Sequence, residues 1–198
     1  MNYKLSSLAD IHSGVVLSRK EAPPSFPSAL FYKRFTLRSF TESGNLIEQE
    51  LEPFWAREQI EPTLLSHRND ILVRLCMPIN PIFIQNEPEG VVIPSQIAVI
   101  RVFDKSIVLP AYLRWYLSQK SISDTLQAAE HGTAQRTIKV KSIMDLGIIV
   151  PSLNLQKQIA QIDTVGRQRE QLYQDLIIQE RIQTEQVLAT LMGGKEYD

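Results

Sequence analysis

Cysteine is almost missing from this chain: Cys76 stands alone among 198 residues, so no internal disulfide can form. It sits in the run Asp70-Ile71-Leu72-Val73-Arg74-Leu75-Cys76, where a small buried hydrophobe is expected rather than a reactive thiol. Histidine is nearly as scarce. His12, His67 and His131 are scattered, with no second ligand at metal spacing near any of them, so no metal site is expected. There is no glycine-rich strand-to-helix turn to cradle a nucleotide-like cofactor. Nothing in the spacing argues for a Ser-His-Asp or nuclease constellation, and the alternating carboxylates Glu50 and Glu52 read as a solvated acidic face. A non-catalytic protein with no cofactor of its own is the expectation.

Long hydrophobic runs are absent too. No stretch reaches about 18 consecutive apolar residues, which excludes a membrane-spanning helix. The opening Met1-Asn2-Tyr3-Lys4-Leu5 has no continuous apolar core like that of a signal peptide, and the expected location is the cytoplasm. A hydrophobic content of 43% can still supply the core of one domain of ordinary size.

A large charge of one sign is also missing. The net charge is −1 and the pI is near 6.3, a poor basis for binding DNA by bulk charge alone. The distribution is less even. Residues 19–38 hold five bases (Arg19, Lys20, Lys33, Arg34, Arg38) against Glu21, whereas residues 42–61 hold six acids against Arg57. Arg136, Lys139 and Lys141 form a second basic cluster. Such local patches suit a binder that meets phosphates on one face and proteins elsewhere, although a plain solvated surface has the same composition.

What is present is a mixed pattern. Apolar residues three apart in Leu5-Ser6-Ser7-Leu8-Ala9-Asp10-Ile11, with Gly14 as a stop, predict a short opening helix or turn. Pro23, Pro24 and Pro27 demand a loop. Residues 31–40 alternate, which predicts a strand carrying Arg34 and Arg38 on one face. Apolar, largely β-branched runs at 71–75, 82–84, 91–93 and 97–102, separated by prolines and Gly90, predict a compact sheet with tight turns. Residues 110–129 have helical spacing, and Leu146-Gly147-Ile148-Ile149-Val150 predicts a last strand before Pro151.

Composition then shifts. Residues 154–192 contain no proline and only Gly166 as a breaker, so they read as one long helix or two stacked ones, about 58 Å if unbroken. Leu155, Ile159, Ile162, Val165, Leu172, Leu176, Val187, Leu188 and Leu191 recur at threes and fours, a stripe that packs on another helix. Arg169 and Glu180 interrupt it as a regular heptad seam. A stripe reaching this far past its domain finds a partner most simply on a second chain. The expected fold is therefore α+β: a mixed α/β domain over residues 1–151, then a coiled-coil-forming helical region over 152–198.

Three groups are candidates for contact with a ligand. In His131-Gly132-Thr133-Ala134-Gln135-Arg136-Thr137-Ile138, Gly132 permits close backbone approach, Thr133 and Gln135 offer hydrogen bonds, and Arg136 offers a forked cation. Lys33, Arg34 and Arg38 follow from charge and strand parity. Ser95 and Gln96 sit in a proline-containing turn, and glutamine can pair bidentately with adenine. Asn80-Pro81-Ile82-Phe83 superficially resembles the Asn-Pro-Pro-aromatic element of adenine methyltransferases, but the second proline and the cofactor turn are missing.

The order of several segments resembles the specificity subunits of type I restriction-modification systems. These are the Leu5-to-Ile11 opening with Gly14, Asn69-Asp70-Ile71-Leu72-Val73-Arg74, Gly132-Thr133-Ala134-Gln135-Arg136-Thr137-Ile138, Leu146-Gly147-Ile148-Ile149-Val150-Pro151-Ser152-Leu153 and Gln156-Lys157-Gln158-Ile159. Two departures are Asn69, where the family often has glycine, and Ser152, where a second proline is common. Members usually carry two target-recognition domains, and this chain resembles one half. The resemblance implies recognition of double-stranded DNA at Gly132, Thr133, Gln135 and Arg136. It also implies a homodimer with antiparallel long helices reading a palindromic bipartite site. Methyltransferase subunits carrying S-adenosylmethionine would dock on the helices, and a restriction nuclease subunit is a further partner in systems that have one. The alternative is a scaffold that dimerises through the helix and binds protein without DNA.

Overall fold

The computed structural model describes residues 1–41, 44–85, 89–129 and 137–193. In chain order its strands and α-helices are β1 (Asn2–Lys4), β2 (Ala9–Ser13), β3 (Leu30–Arg34), β4 (Glu52–Ala56), β5 (Ile71–Arg74), β6 (Ile82–Phe83), β7 (Ile97–Val102), α1 (Pro110–Leu117), α2 (Lys120–Ala129), α3 (Val140–Met144), β8 (Gly147–Ile149) and α4 (Leu153–Gly193). Helices and sheets are thus both present, with the long helix last, as expected of an α+β chain. Contacts divide the chain into Met1–Ala160 and Gln161–Asp198.

Residues 97–100 are apolar at every position because both faces of β7 are covered. β7 lies inside an antiparallel sheet of order β2-β7-β5-β6. Side chains alternate across that sheet. Ala98 and Ile100 of β7, Ile71 and Val73 of β5, and Ala9 and Ile11 of β2 face one core. α1 covers this core with Tyr112, Leu113 and Leu117, α2 with Ile122 and Leu126, and α3 with Ile143. Ile97 and Val99 of β7 and Leu72 of β5 face a second core, closed by Phe35, Phe40, Ile84, Val91 and Ile93. A two-stranded ribbon, β3 with β4, closes a smaller third core through Phe54 and Ala56.

β1 pairs antiparallel with β8, so the N-terminal strand is held beside the segment that leads into α4. Gly14, just past β2, is needed for close approach. Its N–H donates to Ile97 O at 3.0 Å, and a Cβ there would lie 2.0 Å from Ile93 O and 2.6 Å from Pro94 O. Gly14→Ala is therefore expected to lower the unfolding free energy by about 2 kcal/mol, read as a fall in the urea midpoint. An unchanged midpoint would mean that the two backbones are not packed this closely.

Four local expectations are corrected. The expected opening turn is present as a 3-10 turn (Leu5–Ser7) but does not reach Ile11, because Ala9 and Ile11 belong to β2 and take strand parity against β7. The strand expected over residues 31–40 ends at Arg34. There the chain leaves β4 and bonds to Val92 instead, and Thr36 and Ser39 cap each other around a 3-10 turn, Leu37–Ser39. The helical stretch 110–129 is two helices, since the side chains of Ser118 and Gln119 both donate to Trp115 O, at 2.7 and 3.0 Å, and end α1. Cys76 lies beyond β5, half-buried, in an antiparallel bridge with Thr137.

Two buried polar residues hold the first unit together. Gln156 is wholly buried in the first turns of α4. Its Oε1 accepts the Leu109 N–H at 2.8 Å, and its Nε2 donates to Ile107 O and Pro151 O, both at 2.9 Å. Asp70, at the start of β5, is also buried. Its carboxylate accepts Nε and an Nη of Arg101 at 2.9 and 3.0 Å, and the His67 N–H at 2.8 Å. Asn69 beside it has φ of 73°, a left-handed position where asparagine is among the few side-chain-bearing residues at ease.

α4 is one helix of 41 residues, about 60 Å long. Ser152 precedes it and accepts the Leu155 N–H at 3.4 Å, which gives the residue in place of a second proline a capping role. Gly166 lies inside the helix without breaking it.

Candidate nucleic-acid interface

The loop residues Gly132, Thr133, Gln135 and Arg136 lie outside the described residues. Their flank is well fixed: Ile138 is buried in the first core, its N–H donates to Leu75 O at 3.0 Å, and Thr137 bridges Cys76. Leu75 in turn donates to Gln96 O at 2.8 Å. The segment leaving the loop is therefore hydrogen-bonded to Leu75, and Leu75 to Gln96. Ser95 and Gln96 stand at this same end of the sheet. Ser95 is half-buried, its N–H held by Val15 O at 2.8 Å, and Gln96 is exposed.

Lys33, Arg34 and Arg38 come from the ribbon and the turn after it. The register sets Arg34 directly opposite Glu52, and their side chains meet at 2.8 Å. Arg38 reaches the other oxygen of Glu52 at 3.1 Å and Glu50 at 3.4 Å. The Arg34 hydrogen bond is the main reason that the Glu52 carboxyl titrates below its usual range, with Arg38 adding to it. Glu50 and Glu52 are thus ion-pair partners and not an isolated solvated face, and two guanidiniums against two carboxylates leave this cluster neutral. Lys33 stands exposed on the other face of β3.

Arg74, which was not among the sequence candidates, connects the two groups. It ends β5 opposite Ile97, and its guanidinium donates to Leu37 O at 3.4 Å and Pro78 O at 3.2 Å. That contact ties the turn carrying Arg38 to the end of the sheet that carries Gln96 and Thr137. The only sequence signal for it was a lone base closing an apolar strand. Among the described residues, three or more His, Cys, Asp or Glu side chains nowhere gather as a metal site would require. No helix among them is long and apolar enough to cross a membrane.

On α4, Ile159 packs partly against the first core, whereas Leu155 is exposed. Beyond Ala160, Ile162, Val165, Leu172, Leu176, Val187, Leu188 and Leu191 are all exposed, Ile162 to 73%. Tyr173, Ile177, Ile178 and Ile182 are exposed as well. Consecutive positions turn by about 100°, so apolar residues at 176, 177 and 178 spread past a single seam.

No protein-family model matches the sequence, and no curated protein does. Solved structures do. The HsdS subunit from Thermoanaerobacter tengcongensis superposes with a TM-score of 0.65 at 13% identity, over 100% of this chain and 50% of that one. The S subunit of a type I restriction-modification system from M. genitalium gives 0.63 at 16% identity, over 99% of this chain and 46% of that one. A chain from a structural study of complex assembly and conformational transition in the type I R-M system gives 0.53 at 17%, over 94% and 41%. The chain spans about half the length of these proteins. Its architecture, from β1 through the long α4, is that of one half of a type I restriction-modification S subunit.

Proposed function

We propose that this chain is the DNA-recognition subunit of a type I restriction-modification complex, acting in the cytoplasm as a homodimer on a palindromic bipartite site. The observation that carries the reading is coverage: all of this chain superposes on half of an HsdS subunit. Half a subunit supplies one recognition domain, and two-fold symmetry supplies the second with the same specificity. The exposed apolar residues of α4 support helix pairing, and their spread past one seam suits a helix touching more than one neighbour. The length of α4 would set the gap between half-sites. Chemistry would come from methyltransferase subunits bringing S-adenosylmethionine and flipping the target base, with a nuclease subunit as a further partner. DNA contact is assigned to Gly132, Thr133, Gln135 and Arg136, together with Ser95, Gln96 and Arg74, and to Lys33, Arg34 and Arg38 of the ribbon and the turn after it.

The test is methylation mapping with the methyltransferase partner present, with and without this chain. The expected result is methylation at a split palindrome only when the chain is present. DNA affinity should fall as salt rises, and Arg136→Ala should reduce the salt slope by about one. Leu172→Glu with Leu176→Glu should leave a monomer and abolish methylation. An unchanged methylation pattern without the chain, or a site lacking two-fold symmetry, would sink the proposal.

A further inference from the structure

At the Asp70 end of β5, opposite the end that carries Gln96 and Thr137, there is a cavity of about 230 Å³. Its walls include His67, Arg68, Asp70, Arg101, Lys105 and Pro110. Three of these side chains are permanent cations near neutral pH and one is a carboxylate, so the lining carries an excess of two positive charges.

The single carboxylate does not cancel that excess. Asp70 is buried, and both its oxygens are taken by Arg101 and the His67 N–H. It acts as an anchor that fixes the Arg101 guanidinium. Arg101 uses Nε and one Nη on Asp70, that Nη also on Leu65 O at 2.7 Å, which leaves its other Nη without a partner among the described residues. The Arg68 guanidinium and the Lys105 ammonium likewise meet no carboxylate among the described residues. Nearby acids are turned elsewhere: Glu89 accepts the Arg68 backbone N–H at 3.1 Å, and Asp104 accepts the Ser106 N–H at 2.8 Å. Pro110 opens α1, whose N-terminus has no side-chain cap, so the positive end of that helix also borders the cavity.

With Arg101 paired to Asp70, the two cations left without a carboxylate among the described residues, Arg68 and Lys105, lie along the same cavity, and a bound anion would offset their repulsion. The fork of Arg68 and the remaining Nη of Arg101 offer directed donors to tetrahedral oxygens, which a lysine cluster would not. The cavity has room for one phosphate group. We infer that this cavity is an anion site that takes a phosphate group, gripped by Arg68, Arg101 and Lys105 and preset by Asp70. The inference does not depend on the DNA-recognition reading, because Gln96 and Thr137 lie at the other end of β5.

The experiment is amide NMR of the full chain, titrated in one arm with inorganic phosphate and pyrophosphate and in the other with duplex DNA lacking terminal phosphates. Shifts confined to residues 67–70, 101–106 and 111–112 are expected. Arg68→Gln with Lys105→Gln, both exposed and outside the cores, should raise the pyrophosphate dissociation constant about tenfold. Lys157→Gln on α4 should leave it unchanged. If DNA moves the same amides and the double variant weakens DNA binding, the phosphate comes from a nucleic-acid backbone. If only the small anions move them, the ligand is a free phosphate compound. No shift in either arm overturns the inference, as do shifts that survive in the double variant. DNA binding that persists while neither DNA nor the small anions move these amides would leave the proposed function standing while this site falls.

Discussion

Gln156→Leu is expected to lower the unfolding free energy by about 3–5 kcal/mol, because three backbone groups lose a buried partner in one step and each orphaned group costs about 1–3 kcal/mol. The leucine fits the volume, so the loss isolates hydrogen bonding from cavity formation. The side chain joins the segment before α1, through Ile107 and Leu109, to the approach to α4 at Pro151. Gln156→Glu keeps an acceptor for the Leu109 N–H but offers no donor to the two carbonyls, and should fall between wild type and leucine. Tryptophan fluorescence against urea reads the effect from the domain itself, since Trp55 and Trp115 both lie before α4. A loss below about 1 kcal/mol in the leucine variant would show that the glutamine is not the fastener described.

Asp70→Ala should be comparably damaging, about 3–5 kcal/mol, because it strands a partly buried guanidinium whose counter-ion was fully enclosed. The asymmetry of the pair carries the argument. Asp70 has a side-chain exposure of 3% and Arg101 of 23%, so the carboxylate has no route to water while the cation retains one. Replacing both residues, Asp70→Leu with Arg101→Met, should recover much of the loss. A double-mutant cycle should then return a coupling of about 2 kcal/mol or more. Additive single losses would reduce the pair to two independent contacts. Because Asp70 also aims Arg101 into the cationic cavity, Asp70→Asn should weaken anion binding even under conditions where the protein stays folded.

Both residues fall inside segments that the sequence had marked. Asp70 stands in Asn69-Asp70-Ile71-Leu72-Val73-Arg74, and Gln156 opens Gln156-Lys157-Gln158-Ile159. Resemblance could flag these positions but could not say what they do, since the partners of Gln156 lie 47 and 49 residues away at Leu109 and Ile107. Asn69 is the converse case. It stands where the family often has glycine, yet its φ of 73° is one that asparagine accommodates, so the substitution is physically coherent.

Periodicity served well where it had one cause. Unbroken apolar character at 97–100 has a single explanation, a strand covered on both faces, and β7 has that form. It misled where two causes give one pattern. Phe35 and Phe40 both enter the second core, their rings 6.3 Å apart, so apolar residues continue past Arg34 although the strand does not. Ser118 and Gln119 look like solvent-facing helix residues but in fact terminate α1. The candidate site was legible as charge and illegible as pairing. Neutralising Arg34 by Glu52 depends on the register of β3 against β4, and nothing in the order of residues gives that register.

The pairing of β1 with β8 bears on the order in which the chain acquires its shape. The Met1 ammonium meets Val150 O at 3.2 Å across a separation of 149 residues. On a ribosome adding about 5–20 residues each second, the first strand waits about 7 to 30 s for its partner to be made. During that time the sheet of β2, β5, β6 and β7 can assemble, but the edge that receives β1 does not yet exist. Closure of this domain is consequently a late, long-range event, and β1 remains an unpaired strand open to mispairing or chaperone capture until β8 emerges.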